Sequence, residues 1–207
     1  MIITYYGKQC FKVAQGDLTI ACNPLSKESK KKPARFGADI VLSTINHPDF
    51  NGSEQMEFGE RKPFVVSGPG DYEVKDVRIH GTLSRTTLDK KEYINTIYSL
   101  IFDGVSICFL GALSSAPKSE TRGEIVEPDI LFVPVGGPFL SPGEAYKVAI
   151  SFEPHIIIPM AEDQDALKAF IKEAGGDKPE TVDKLVLKKK DVVTRNSDII
   201  VFEEVNA

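Results

Sequence analysis

A chain of 207 residues is long enough to bury one sizeable core and short for two independent ones, so a single domain over residues 1–207 is expected. Hydrophobic residues at 42% and charged residues at 27% give the composition of an ordinary globular protein. The net charge of −5 excludes the broadly basic surface that binding to nucleic acid or anionic membrane would need.

Residues 2–6, 10–14 and 18–22 read as three short strands, with Gly7 and Gln15-Gly16-Asp17 as the turns between them. Asn23-Pro24 ends the third strand, because proline cannot donate to a ladder and biases its predecessor to extended geometry. The basic run Lys27-Glu28-Ser29-Lys30-Lys31-Lys32 reads as a solvated loop. An apolar run, Ala38-Asp39-Ile40-Val41-Leu42, then leads into Ser43-Thr44-Ile45-Asn46-His47-Pro48-Asp49-Phe50-Asn51. A strand that stops there delivers polar side chains to a sheet edge, where open α/β folds place their chemistry.

Residues 51–62 are read as holding one short helix, and residues 64–66 as a brief strand running into Ser67-Gly68-Pro69-Gly70-Asp71. That Gly-Pro-Gly turn is expected to hold Asp71 on a rigid corner. Strands 77–83 and 95–102 are read as separated by a charged loop, and Asp103-Gly104 as a hairpin turn into strand 105–110. After a polar loop over 114–127 come a buried strand at 129–133 and a helix opened by Ser141-Pro142-Gly143-Glu144. Serine as N-cap, proline at the first helical position and glutamate three residues after the cap make that start explicit. A strand at 155–159, a helix carrying Ala166, Leu167, Phe170 and Ile171, and strands at 185–187 and 199–202 close the chain.

Cys10, Cys22 and Cys108 sit in apolar, strand-like sequence, an odd count without metal-knuckle spacing, and read as buried thiols of a reducing compartment. No apolar run reaches the ~20 residues of a membrane span and the first residues lack a signal-peptide pattern, so the cytoplasm is expected. No Gly-x-Ser-x-Gly elbow appears, and Gly68-Pro69-Gly70 lacks the Lys-Ser/Thr of a phosphate loop.

The stretch from Thr44 to Phe50 resembles the metal-binding signature of the metallo-β-lactamase superfamily, Thr-His-x-His-x-Asp-His at the end of a buried strand. Thr44, His47 and Asp49 match it, while Ile45 and Phe50 replace two histidines. Residues 5–11, 68–74, 95–98, 109–112, 132–137 and 158–161 look, in the same order, like the branch that includes ascorbate-6-phosphate lactonase-like and other small Zn-dependent hydrolases. The resemblance implies a four-layer αββα sandwich with its metal site at one edge of two sheets. At further ligand positions of the family stand Lys8, Ala112 and Ala161, and the expected mid-chain histidine has no counterpart in residues 84–89.

A catalytic zinc needs about three protein ligands, which the matched residues do not supply. The expectation is therefore a hydrolase-like protein without metal or other cofactor and without catalysis. Its role would be structural or one of binding a small molecule or a protein, with a homo-oligomer left open. The candidate cleft is Lys8, His47, Asp49 and Asp71. The alternative is a hydrolase of a lactone or phosphoester, with zinc held by His47, Asp49 and some of His80, Asp71 or Glu73; a third reading is metal-free acid-base chemistry by Asp49, His47 and Asp71. A buried Asp49 without a cation is costly, so Lys8 is expected to pair with it and His47 to hydrogen-bond its carboxylate. Ile45 and Phe50 are expected to make the cleft small and dry.

Overall fold

Short turns make the first part of the chain antiparallel. In the computed structural model, which describes residues 1–205, β1 (Ile2–Tyr5), β2 (Phe11–Gln15) and β3 (Leu18–Cys22) form a meander whose second turn is Gly16-Asp17. β4 (Ile40–Leu42) and β5 (Phe64–Val66) add in parallel. β6 (Gly70–Val74), β7 (Val77–Leu88), β8 (Lys91–Phe102) and β9 (Val105–Phe109) form a second antiparallel meander. α1 (Ser119–Glu124), β10 (Ile130–Val135), α2 (Pro142–Ile150), β11 (Ile156–Ala161) and α3 (Gln164–Glu173) follow, then β12 (Glu180–Val182), β13 (Lys184–Val186), α4 (Lys189–Val192) and β14 (Asp198–Phe202).

The strands build two sheets, ordered β13-β1-β2-β3-β4-β5 and β12-β14-β11-β10-β9-β8-β7-β6. They face each other across a core in which Phe11, Phe109 and Phe132 meet, the Phe11 and Phe132 rings lying 4.9 Å apart and edge-on. β10 and β11 are buried along nearly their whole length because both faces are covered: Ile130 and Phe132 point to the facing sheet, Leu131 and Val133 to the helices. α2 starts as its sequence requires, with Ser141 and Glu144 capping each other reciprocally, and packs Val148 and Ala149 on that outer face. On the outside of the first sheet the covering layer is thinner: the 3-10 turn Ser53–Met56 and Phe36 shield Ala21 and Val41. This is the expected αββα sandwich.

Several boundaries differ from the reading above. β7 and β8 run unbroken to a two-residue turn at Asp89-Lys90, both with positive φ, so the charged stretch is strand and not loop. Its polar residues misled because one face of that hairpin is open to solvent. Residues 70–74 form an edge strand paired with β7, which places Asp71 on a strand and not on a fixed corner. The stretch 51–62 yields only the 3-10 turn, while α1 arises within the polar loop.

At the far end of the sandwich Asp129 accepts from the Ser106 amide (2.7 Å) and hydroxyl (3.0 Å) and from Lys189 (2.5 Å). Burial alone would raise its carboxyl, but the Lys189 ammonium and the Ser106 donors outweigh burial and hold it below the ordinary carboxylate range. The three cysteines are free and buried, and burial pushes Cys10 and Cys108 up to about 12, which leaves both as inert thiols. Among the described residues no helix is long and apolar enough to cross a membrane.

Candidate functional site

β4 of the first sheet and the parallel pair β10 and β11 of the second end at one edge, and the loops after β1 and β9 come to the same place. Two buried asparagines pin these ends together. Asn23, with φ +44, turns the chain at the end of β3 and accepts the Thr44 amide at 2.9 Å. Asn95 on β8 accepts the Ala112 amide at 2.9 Å and donates to the Leu110 carbonyl at 3.1 Å and to Ser84 Oγ at 2.7 Å. Gly111 lies between them with φ +64; a Cβ there would stand 2.6 Å from the Thr44 side chain, so only glycine allows the approach.

Directly above these supports the edge is apolar. Ile45, Phe50, Ala112 and Phe139 form one buried cluster, with Leu88 and Tyr93 packed against it. Ile45 is 2% and Phe50 3% exposed. His47 is wedged edge-on between Phe50 and Tyr93, 5.9 Å from each ring. Its Nδ1 accepts the Asp49 backbone amide at 3.2 Å, which leaves Nε2 toward Asp89 Oδ2 at 3.8 Å. His47 thus shapes the turn through the amide of Asp49 and does not hold its carboxylate, contrary to expectation. The motif spacing does not distinguish an amide from a carboxylate as the imidazole's partner.

Lys8 lies where it was expected. Its Nζ is 3.5 Å from Asp49 Oδ2 and 3.6 Å from Glu162 Oε2, and the Tyr5 hydroxyl donates to its backbone carbonyl at 3.0 Å. The second Asp49 oxygen accepts Ser29 Oγ at 2.5 Å. Glu162 and Ser29 were missed. Glu162 directly follows Ala161, which was flagged as a ligand position, and that adjacency was the available signal. Ser29 belongs to the basic run read as solvated; in the structure Ser29 closes over Asp49 and Lys31 pairs with Glu204.

Neither partner is deeply buried: Lys8 is 36% and Asp49 21% exposed at the side chain. The pair is accordingly expected to be weaker than one sealed from solvent. Lys8→Met and Asp49→Asn should each lower stability by about 1 kcal/mol, and the double variant by roughly 0.5 kcal/mol less than their sum. Strict additivity in urea unfolding would show that the contact contributes nothing.

Asp71 is not brought to this group. It pairs with His80 across β6 and β7, Oδ1 to Nδ1 at 2.6 Å, and both are exposed to solvent. His80 faces Ser99, four residues along β8 from Asn95, or about 13 Å at the strand rise. Glu73 stays on the same hairpin, 3.8 Å from Arg78. His155 caps a loop, Nδ1 lying 2.8 Å from the Arg195 carbonyl. Among the described residues no group of three or more His, Cys, Asp or Glu side chains is placed to hold a metal ion.

A structure from Thermotoga maritima, described as a candidate Zn-dependent hydrolase of the metallo-beta-lactamase superfamily, matches with 27% identity and a TM-score of 0.78 over 99% of both chains. A metal-dependent hydrolase of Methanopyrus kandleri is 24% identical over 86% of this chain and 94% of its own, and one of Methanocaldococcus jannaschii is 26% identical over 77% and 83%. The family model of the beta-lactamase superfamily domain matches residues 2–161. With that match over most of its length and both sheets in place, the chain belongs to the metallo-β-lactamase superfamily.

Proposed function

We propose that this protein is a hydrolase-like member of its superfamily that works without a metal ion, as a single domain that binds rather than cleaves. The observation that carries the reading is the Lys8 ammonium seated between Asp49 and Glu162. A cation supplied by the chain offsets one of the two carboxylate charges and occupies Asp49, the carboxylate that matches the metal signature. The remaining donors do not fit a metal: His47 Nδ1 is engaged by an amide, and Ile45, Phe50 and Ala112 offer no lone pairs. The carboxy-terminal residues support one domain, since β13 completes the first sheet and β12 and β14 the second. Three free buried thiols support a reducing compartment, the cytoplasm.

The archaeal relatives are named metal-dependent hydrolases, which favours metal-dependent hydrolysis as the rival, with a lactone or phosphoester as its substrate. Its added ligands, His80, Asp71 and Glu73, lie on the β6–β7 hairpin away from Asp49. Metal analysis decides between them. Protein purified without added metal and then dialysed against micromolar zinc is expected to retain far less than one equivalent, because one His and one shared carboxylate leave most of the coordination shell to water. About one equivalent, lost in Asp49→Ala, would establish the rival.

A further inference from the structure

Beside Lys8 the eight-stranded sheet comes apart. β11 pairs with β14 only at Ile156↔Asp198 and Ile157↔Ile199; beyond that point β11 stays with β10 as far as Ala161, while β14 follows β12 to Val182↔Phe202. Strand amides alternate in direction, and those of Ile156 and Glu162 donate toward β10, so residues 157, 159 and 161 face the β14 side. Pro159 therefore sits at the fork, where β14 has already turned away and a missing N–H leaves no ladder bond unmade.

The fork holds a cavity of about 610 Å³, a volume typical of small-molecule sites. Phe11 from the opposite sheet and Phe202 form its apolar floor, their rings 5.7 Å apart, and Leu167 and Ile171 of α3 form one wall. Its lining carries four carboxylates, from Glu162, Asp163, Glu203 and Glu204, against the ammonium groups of Lys8 and Lys31, a balance of −2. Lys31 is taken by Glu204, Lys8 is shared with Asp49, and Asp163 caps α3 through the Ala166 amide. Glu203 has no ion-pair partner among the described residues.

We propose that this fork is a binding site for a small organic cation, an amine carried on a flat apolar body. The ammonium lies at Glu203, beside the Glu162 carboxylate that Lys8 shares, and the body packs on Phe202, whose ring meets the buried Phe11 edge-on, and against Leu167 and Ile171, with the charge deficit of the lining excluding anions of the same shape. The assignment rests on the metal-free reading for its charge balance, since a divalent ion at the adjoining edge would repel the ligand.

The chain has no tryptophan, so an indole ligand reports its own binding by fluorescence. Tryptamine, tryptophol and indole-3-propionate share one ring and nearly one length and differ in charge. Tryptamine is expected to bind saturably, tryptophol about tenfold more weakly and indole-3-propionate more weakly still. Glu203→Lys, at an exposed position that leaves packing intact, is expected to remove most of the preference for the cation. Equal binding of the three, preference for the anion, or no saturable signal with tryptamine overturns the proposal. Metal content is measured on the same samples. Failure of tryptamine on metal-free protein overturns the cation site alone, whereas tryptamine binding by protein that carries stoichiometric metal supports the site and overturns the metal-free reading.

Discussion

Phe50→His is expected to lower the unfolding free energy by about 3 kcal/mol, although it restores a residue of the signature that Thr44, His47 and Asp49 resemble. Phe50 is 3% exposed and packs on Ile45, Ala112 and Phe139, its ring 6.2 Å from that of Phe139. Replacing it removes buried apolar surface worth about 2 kcal/mol and introduces two ring nitrogens into a cluster with no side-chain hydrogen-bonding group of its own, for roughly 1 kcal/mol more. Phe50→Leu, which changes shape but not polarity, should cost about half as much. Urea denaturation of both variants measures this. A histidine variant as stable as the parent, with or without zinc present, would mean that polar groups or metal are accommodated at this edge and that the dry-site account is wrong.

The fold was legible because its strands are short, apolar and closed by strong turn residues, and because the stretches resembling the superfamily run in order along the chain. The Ser141 start of α2 and the Asp103-Gly104 hairpin are local chemistry, and local chemistry survives in sequence. The β7–β8 hairpin was cut short because Arg85, Glu92 and their neighbours face solvent near its tip, where polarity imitates a loop. The site was half legible. The resemblance put Lys8 at a ligand position beside Asp49 and the cost of an unpaired buried carboxylate then paired them, but the depth of their burial was overstated. Glu162, Ser29 and the forked strands depend on which distant segments meet, and no periodicity records that.

Asn95→Ala should have a still larger effect, about 3 to 4 kcal/mol, despite removing no charge and little apolar surface. The side chain is fully buried and spends its amide on three partners: the Ala112 amide, the Leu110 carbonyl and Ser84 Oγ. Truncation leaves the buried Ala112 N–H without an acceptor and the Leu110 carbonyl without this donor, each at about 1 to 2 kcal/mol, and opens a small cavity between β8 and β9. Ser84→Ala removes the outermost of the three contacts together with the hydroxyl's own bond to the Asn95 carbonyl (3.0 Å), both half-exposed, and should cost about 1 kcal/mol. The same substitution links the scaffold to the site, because Ala112 carries one wall of the Ile45, Phe50 and Phe139 cluster. Hydrogen exchange at the Ala112 amide is therefore expected to accelerate more than that of the β10 amides, whose parallel ladder Asn95 does not touch. A loss below about 1 kcal/mol, or unchanged exchange at Ala112, would show that water replaces the asparagine freely and that the edge is held by its apolar contacts alone.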